Sequence, residues 1–266
     1  MKAKTVMTAT TIPAPILDAL ALAHPSWRDA LEAGLQAVAQ ADAAYLPALA
    51  ADEFLPNGGR LFAAFSQPLP EVRYVLVGEG PYPRADSATG YCFMDGAVGE
   101  LWAESGLSKK VNRATSLRNF IKMLLVADGR LPVEKTSGNA LAPLAAEALA
   151  DGSTMIKTLP ELQRNLHRHG FLLLNATLAY RPHVPPAKEA KAWQPLVEAV
   201  LQALARREGE QPLLVLWGKI AERLAAMPAA AHLPQVASEH PYNLSFIGNG
   251  TMQALFGPLA LLQRAK

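Results

Sequence analysis

Glu79, Tyr82, Phe93, Asn175 and His240 carry complementary chemistry. A phenyl ring such as that of Phe93 offers a flat face to a flat ligand. The carboxamide of Asn175 sets a donor beside an acceptor, as the edge of a pyrimidine requires. Tyr82 can form a steric wall. His240 can donate to a carbonyl oxygen that gathers negative charge, and Glu79 can position water or stabilise a cation. Together they describe a pocket for a planar, hydrogen-bonding heterocycle.

Each has a plainer reading beside it. Glu79 reads as a solvated loop acid, Asn175 as the cap of a turn, and His240 in "SEHPYNLS" as a loop histidine bonded to a carbonyl. Trp193 and Trp217 read as core or interface aromatics. His167 and His169, two apart before Gly170, fit the last turn of a helix, where cations meet the dipole, better than a metal site. Gly78-Glu79-Gly80 falls short of a dinucleotide fingerprint because Pro83 stands where the third glycine belongs. Neither a cofactor nor a metal is expected.

The elements that must position these residues follow from periodicity. Residues 72–78, 171–175 and 213–217 read as apolar strands and 235–239 as a fourth strand, each ending in a polar or glycine-marked segment. Those ends supply Glu79, Asn175, Trp217-Gly218 and His240. Helical patterns lie between them. "SLRNFIKMLLVADG" has Leu117, Phe120, Ile121, Leu124 and Leu125 on one face, with Ser116 as N-cap and Gly129 beyond its end. "TLPELQRNLHRHG", "KEAKAWQPLVEAVLQALARREG", "KIAERLAAM" and "GTMQALFGPLALLQRAK" are further helices, and 131–158 is a loop carrying a short helix. The alternation predicts an α/β fold: a three-layer αβα arrangement around a four-stranded, mostly parallel sheet. Loops at the carboxyl ends of such strands build the site.

The chain of 266 residues is 50% hydrophobic and 18% charged, enough to bury a sizeable core. No apolar stretch approaches the ~20 residues of a membrane span, and the N-terminal segment lacks a signal-peptide core because Pro13, Pro15 and Asp18 interrupt it. Cys92 is the only cysteine, so a reducing compartment, the cytoplasm, is expected. A formal net charge of +2 permits a nucleic-acid partner without demanding one.

From about residue 70 to 257 the sequence resembles the uracil-DNA glycosylases, most closely the family whose first motif reads Gly-Gln-Asp-Pro-Tyr-His. "VGEGPYP" stands at that motif and "GYCF" follows it. "SLRNFIKML", "GFLLLNATLAYRPH", "AWQPL", "LLVLWGKIA" and "HPYNLS" come after in the family's order. The resemblance implies a glycosylase-like domain at 56–266, an N-terminal helical extension at 1–55, a monomer, and DNA as partner. It implies that the target nucleotide is flipped out of the helix. Phe93 then stacks on the base, Asn175 reads its edge, Tyr82 excludes a thymine methyl and His240 bonds the pyrimidine oxygen. Leu244 fills the vacated stack, and Ser116 and Ser245 touch phosphates.

The chain departs from the motif at its acid. Gly80 stands at the aspartate, Glu79 at the glutamine and Pro83 at the histidine. Other branches of the superfamily carry Gly-Glu-Ala-Pro, which "GEGP" resembles, so Glu79 is the candidate acid and Asp86 a weaker substitute. Two functions follow: a hydrolytic glycosylase for uracil or another deaminated base, or an impaired homologue that binds DNA or a damaged base without cutting.

Overall fold

The computed structural model describes residues 11–264. In chain order the elements are α1 (Ala14–Asp18), α2 (Arg28–Ala41), α3 (Tyr45–Ala50), β1 (Tyr74–Gly78), a small hairpin of β2 (Trp102–Ala103) and β3 (Gly106–Leu107), α4 (Lys109–Arg113), α5 (Thr115–Ala127), α6 (Gly138–Leu149), α7 (Leu159–Arg168), β4 (Phe171–Asn175), α8 (Pro186–Arg206), β5 (Leu213–Trp217), α9 (Ile220–Ala225), β6 (Gln235–Ser238) and α10 (Gly250–Phe256). The main sheet has the order β4-β1-β5-β6, and every pairing in it is parallel. No helix among the described residues is long and apolar enough to cross a membrane.

Strand side chains alternate between faces, and on β1, β4 and β5 both faces are buried; β6, at the sheet edge, has no buried residue. Val75, Val77, Leu172, Leu174, Leu214 and Leu216 point to one core with α2, α3 and α8. Leu76, Phe171, Leu173, Val215 and Trp217 point to the other, with α5, α6, α7 and α10. Such double coverage explains why β1, β4 and β5 read as continuous apolar runs. Residues 14–50 share the first core: Leu31, Leu35, Leu46 and Leu49 are fully buried in it. Gly34 lets α2 approach α8 closely, since a Cβ there would lie 3.1 Å from the Leu196 backbone.

Local sequence explains most of the ends. Thr158 and Glu161 form a capping box on α7, and His169 is the residue that ends it, with His167 in the last turn. Ser108 caps α4 through the Val111 N–H.

Several expectations need correction. Ser116 is not an N-cap: α5 starts one residue earlier, at Thr115, and Ala114 stands at the cap without a side-chain bond. The 131–158 region carries a full helix of 12 residues, despite Pro143 within it. The last helix is short, ending at Phe256 before a 3-10 turn over Gly257–Leu259, with Ala260 at φ 46° in the left-handed region. The β2–β3 hairpin is too short to leave a periodic signal.

Candidate active site

The chain leaves β1 for β4 at one side, then returns to the other side of β1 for β5. A crevice opens at the carboxyl ends of strands where the order reverses in this way. The register sets Gly78 opposite Asn175. Pairing continues past the strands, with Ala176 N–H donating to the Gly78 carbonyl at 2.8 Å and Thr177 N–H to the Glu79 carbonyl at 3.1 Å. The first motif and the Asn175 loop are thus one backbone unit.

Between these tips lies a cavity of about 200 Å³ lined by Glu79, Gly80, Tyr82, Phe93, Ser116, Asn175, Trp217 and His240, with Gly78 and Cys92 behind. At ~30 Å³ per liquid water, that is space for one small ring rather than an extended ligand. Gly78 is required: a Cβ there would meet Cys92 Cβ at 2.8 Å and Asn175 Oδ1 at 3.1 Å. Asn175 is only 4% exposed, and among the described residues its carboxamide bonds nothing in the protein. Its amide atoms are not among the sealed, unpartnered polar atoms and open onto the cavity, so this edge is free to form hydrogen bonds there.

Phe93 sits at φ 65°, in the left-handed region that a bulky residue rarely enters. The strain, on the order of 1–3 kcal/mol, is held by its surroundings. Cys92 N–H donates to the Leu173 carbonyl at 3.1 Å and the Cys92 thiol to the Leu76 carbonyl at 3.2 Å. The ring stands edge-on to Phe120 and Trp217, with centroids 5.3 and 5.2 Å away. That packing leaves the Phe93 ring at the cavity wall. Tyr82 lies beside it, its phenol pushed well above the usual range by burial and by the Asp95 carboxylate, and so stays neutral.

His240 follows β6. Its Nδ1 accepts from the Tyr242 N–H at 3.1 Å, which puts the proton of the neutral ring on Nε2. Burial pulls its pKa below the ordinary value more strongly than the nearby Glu79 carboxylate raises it. The Tyr242 hydrogen bond and burial together favour the neutral ring, with its proton on Nε2. Its loop is fixed from below by Asn119, fully buried on α5, whose amide donates to the Pro241 carbonyl at 2.7 Å. Gly218, at φ 61°, gives the close approach: a Cβ there would lie 3.0 Å from His240 Cβ.

The other candidates divide. Leu244 is 70% exposed and Tyr242 67%, side by side on the tip that follows His240. Ser116 reaches the cavity, whereas Ser245 is exposed on the Leu244 turn and bonds the Glu239 carboxylate. Burial raises Glu239, but hydrogen bonds from its own backbone, Ser245 and Asn249 hold it below the usual range. Glu79 is exposed at the cavity mouth. Asp86 is not part of the site: it lines a separate hollow with Arg84, Lys110 and Arg113.

No family model matches the chain. It is 30% identical over 226 residues to the uracil-DNA glycosylase of Nocardioides sp., covering 84% of this chain and 81% of that one. The chain belongs to the uracil-DNA glycosylase family. The uracil-DNA glycosylase of Parafrankia sp. is 29% identical over 228 residues, 85% of this chain and 83% of that one. Among solved structures, the wild-type UNG of Nitratifractor salsuginis superposes with a TM-score of 0.85 at 40% identity, covering 94% of this chain and 97% of that one. Mimivirus uracil-DNA glycosylase, at 17% identity and a TM-score of 0.52, shares the fold.

Within this uracil-DNA glycosylase fold the structure adds residues that sequence reasoning passed over. Trp217 is a core aromatic and also a cavity wall. Asn119 positions the His240 loop, and its signal was present: one asparagine on the otherwise apolar face of α5.

Proposed function

We propose that this chain is a monofunctional DNA glycosylase that hydrolyses the N-glycosidic bond of uracil, or another deaminated base, flipped out of DNA. The supporting observation is that Glu79, Tyr82, Phe93, Asn175 and His240, separated by up to 161 positions in sequence (240 − 79), line one cavity of about 200 Å³.

In this reading the extruded base stacks on Phe93 and pairs through its edge with Asn175, while Tyr82 blocks a 5-methyl group. The bond between C1′ and the base nitrogen breaks with its electron pair going to the base. Nε2–H of His240 donates to the pyrimidine oxygen where that charge collects. The sugar left behind is oxocarbenium-like. Glu79 faces it and orients the water whose oxygen adds to C1′, and the released proton passes to Glu79 or solvent.

Gly80 takes the place of the family motif's aspartate, so Glu79 is the acid. Ser116 and Ser245 meet phosphates, the latter by leaving Glu239, and Leu244 fills the gap in the stack. Such an enzyme acts on DNA as a monomer in the cytoplasm.

The test is incubation with oligonucleotides bearing uracil, hypoxanthine or xanthine, followed by alkaline cleavage at abasic sites. Product from at least one base is expected. Salt-sensitive DNA binding with no product from any base would leave an impaired, binding-only homologue instead.

A further inference from the structure

A second cavity, of about 720 Å³, lies on the other side of the same tip. Glu79 and Gly80 line both hollows. The small one lies over the sheet face that carries Trp217, and the large one extends towards α8 and α9 on the opposite face. Ala176, Ala179, Ala190, Leu224 and Met227 supply apolar lining, and Tyr180 the one aromatic ring.

The backbone of Tyr180 is pinned by reciprocal bonds to Leu55, at 2.8 and 3.0 Å. Lys191 and Arg223 also line the cavity, and among the described residues neither forms an ion pair. The carboxylate of Glu189, also in the lining, is taken by Arg181 at 2.7 Å and by the Tyr45 hydroxyl.

We propose that this cavity receives the nucleobase next to the target on the same strand, stacked on Tyr180, with the connecting phosphate held by Lys191 and Arg223. The inference rests on the base-recognition reading above. With the target base in the small hollow, its sugar lies over Glu79–Gly80, and one nucleotide further along the strand reaches the large one. An aromatic face with free cations beside it is how single strands are held without sequence preference. Seating the neighbour requires that it leave the helical stack, so this subsite is filled on a single strand and stays empty on an undistorted duplex.

The experiment is fluorescence anisotropy with a short labelled single strand carrying a cleavage-resistant 2′-fluoroarabino-uridine. It is repeated with an abasic spacer at either neighbour and with the matching duplex. Loss of one neighbouring base should weaken binding roughly 5- to 150-fold, the range that single stacking contacts give. Tyr180→Ala should show the same loss and no further response to the spacer, while Tyr180→Phe keeps both. Ala190→Trp fills the hollow from α8 and provides a second route if Tyr180→Ala folds poorly. Lys191→Ala with Arg223→Ala should flatten the salt dependence by about 0.7, the share of the one single-strand phosphate that the two hold. Wild-type binding that ignores both neighbours, or is as tight to duplex, overturns this inference and leaves base recognition standing. No binding to either the single strand or the duplex overturns both.

Discussion

The backbone N–H of Tyr242 donates to Nδ1 of His240 across 3.1 Å, and this hydrogen bond decides which ring nitrogen carries the proton into the cavity. Protonating Nδ1 would set two N–H groups against each other and release the turn that bears Leu244.

The pH dependence follows. Burial outweighs the pull of Glu79 and holds His240 below 6.5. The unfolded chain therefore binds this proton more readily, so the His240 contribution is present above pH 6.5 and is lost as pH falls through the lower, folded value. Imidazole shifts in an NMR titration, assigned with His240→Gln, should show a midpoint under 6.5. In Glu79→Gln the midpoint should fall further, because the carboxylate that raises it is gone. A midpoint above 6.5 would contradict the neutral donor.

Asn175 should separate stability from activity. Its carboxamide bonds no protein group in the described structure, so Asn175→Ala loses little folding free energy. It does lose the hydrogen bonds to the base, at about 0.5–1.5 kcal/mol each. The expected result is a melting temperature within a few degrees of wild type and kcat/KM for uracil lowered roughly 10- to 100-fold. Marked destabilisation with normal activity would place Asn175 in the core rather than at the base.

Arg181 should do the reverse. It is 5% exposed, bonded to Glu189 at 2.7 Å and 3.5 Å from Asp52. Arg181→Met leaves the Glu189 carboxylate buried without its cation, which costs about 3–5 kcal/mol. Urea denaturation measures it, and a change under 1 kcal/mol would show that the pair is not a tie between α8 and the N-terminal segment.

Asn119→Ala should loosen the His240 loop. The Pro241 carbonyl loses its partner at 2.7 Å, a cost on the order of 1–3 kcal/mol. Hydrogen exchange at 242–246 should speed up, and binding to DNA should weaken. Unchanged exchange would mean that the 3-10 turn over Leu244–Gly248 holds the loop by itself.

The strands β1, β4 and β5 were legible because both of their faces are covered. Val75–Val77 and Phe171–Leu174 had to be apolar at every position, and polarity resumes where the sheet ends. That change marked Glu79, Asn175 and His240. That these ends share one sheet edge follows from the parallel alternation, but the strand order does not, since no local pattern states that β1 lies between β4 and β5. Nor was the strained φ of Phe93, which depends on Cys92 reaching Leu173 and Leu76. Ser116 ahead of an apolar helix looks like an N-cap, and only the backbone shows that the turn has already begun at Thr115. Tyr180 lies inside the "GFLLLNATLAYRPH" segment and Lys191 and Arg223 on helical stretches, but no local pattern sets these three apart as a site.

The most direct measurement is the single-turnover release of uracil from DNA by wild type and by Glu79→Gln, both at saturating enzyme. A carboxylate that faces the sugar cation should make the variant slower by at least 10²-fold, the scale for losing one positioned electrostatic group, with DNA binding retained. Equal rates in the two proteins would contradict the assignment of Glu79 as the acid.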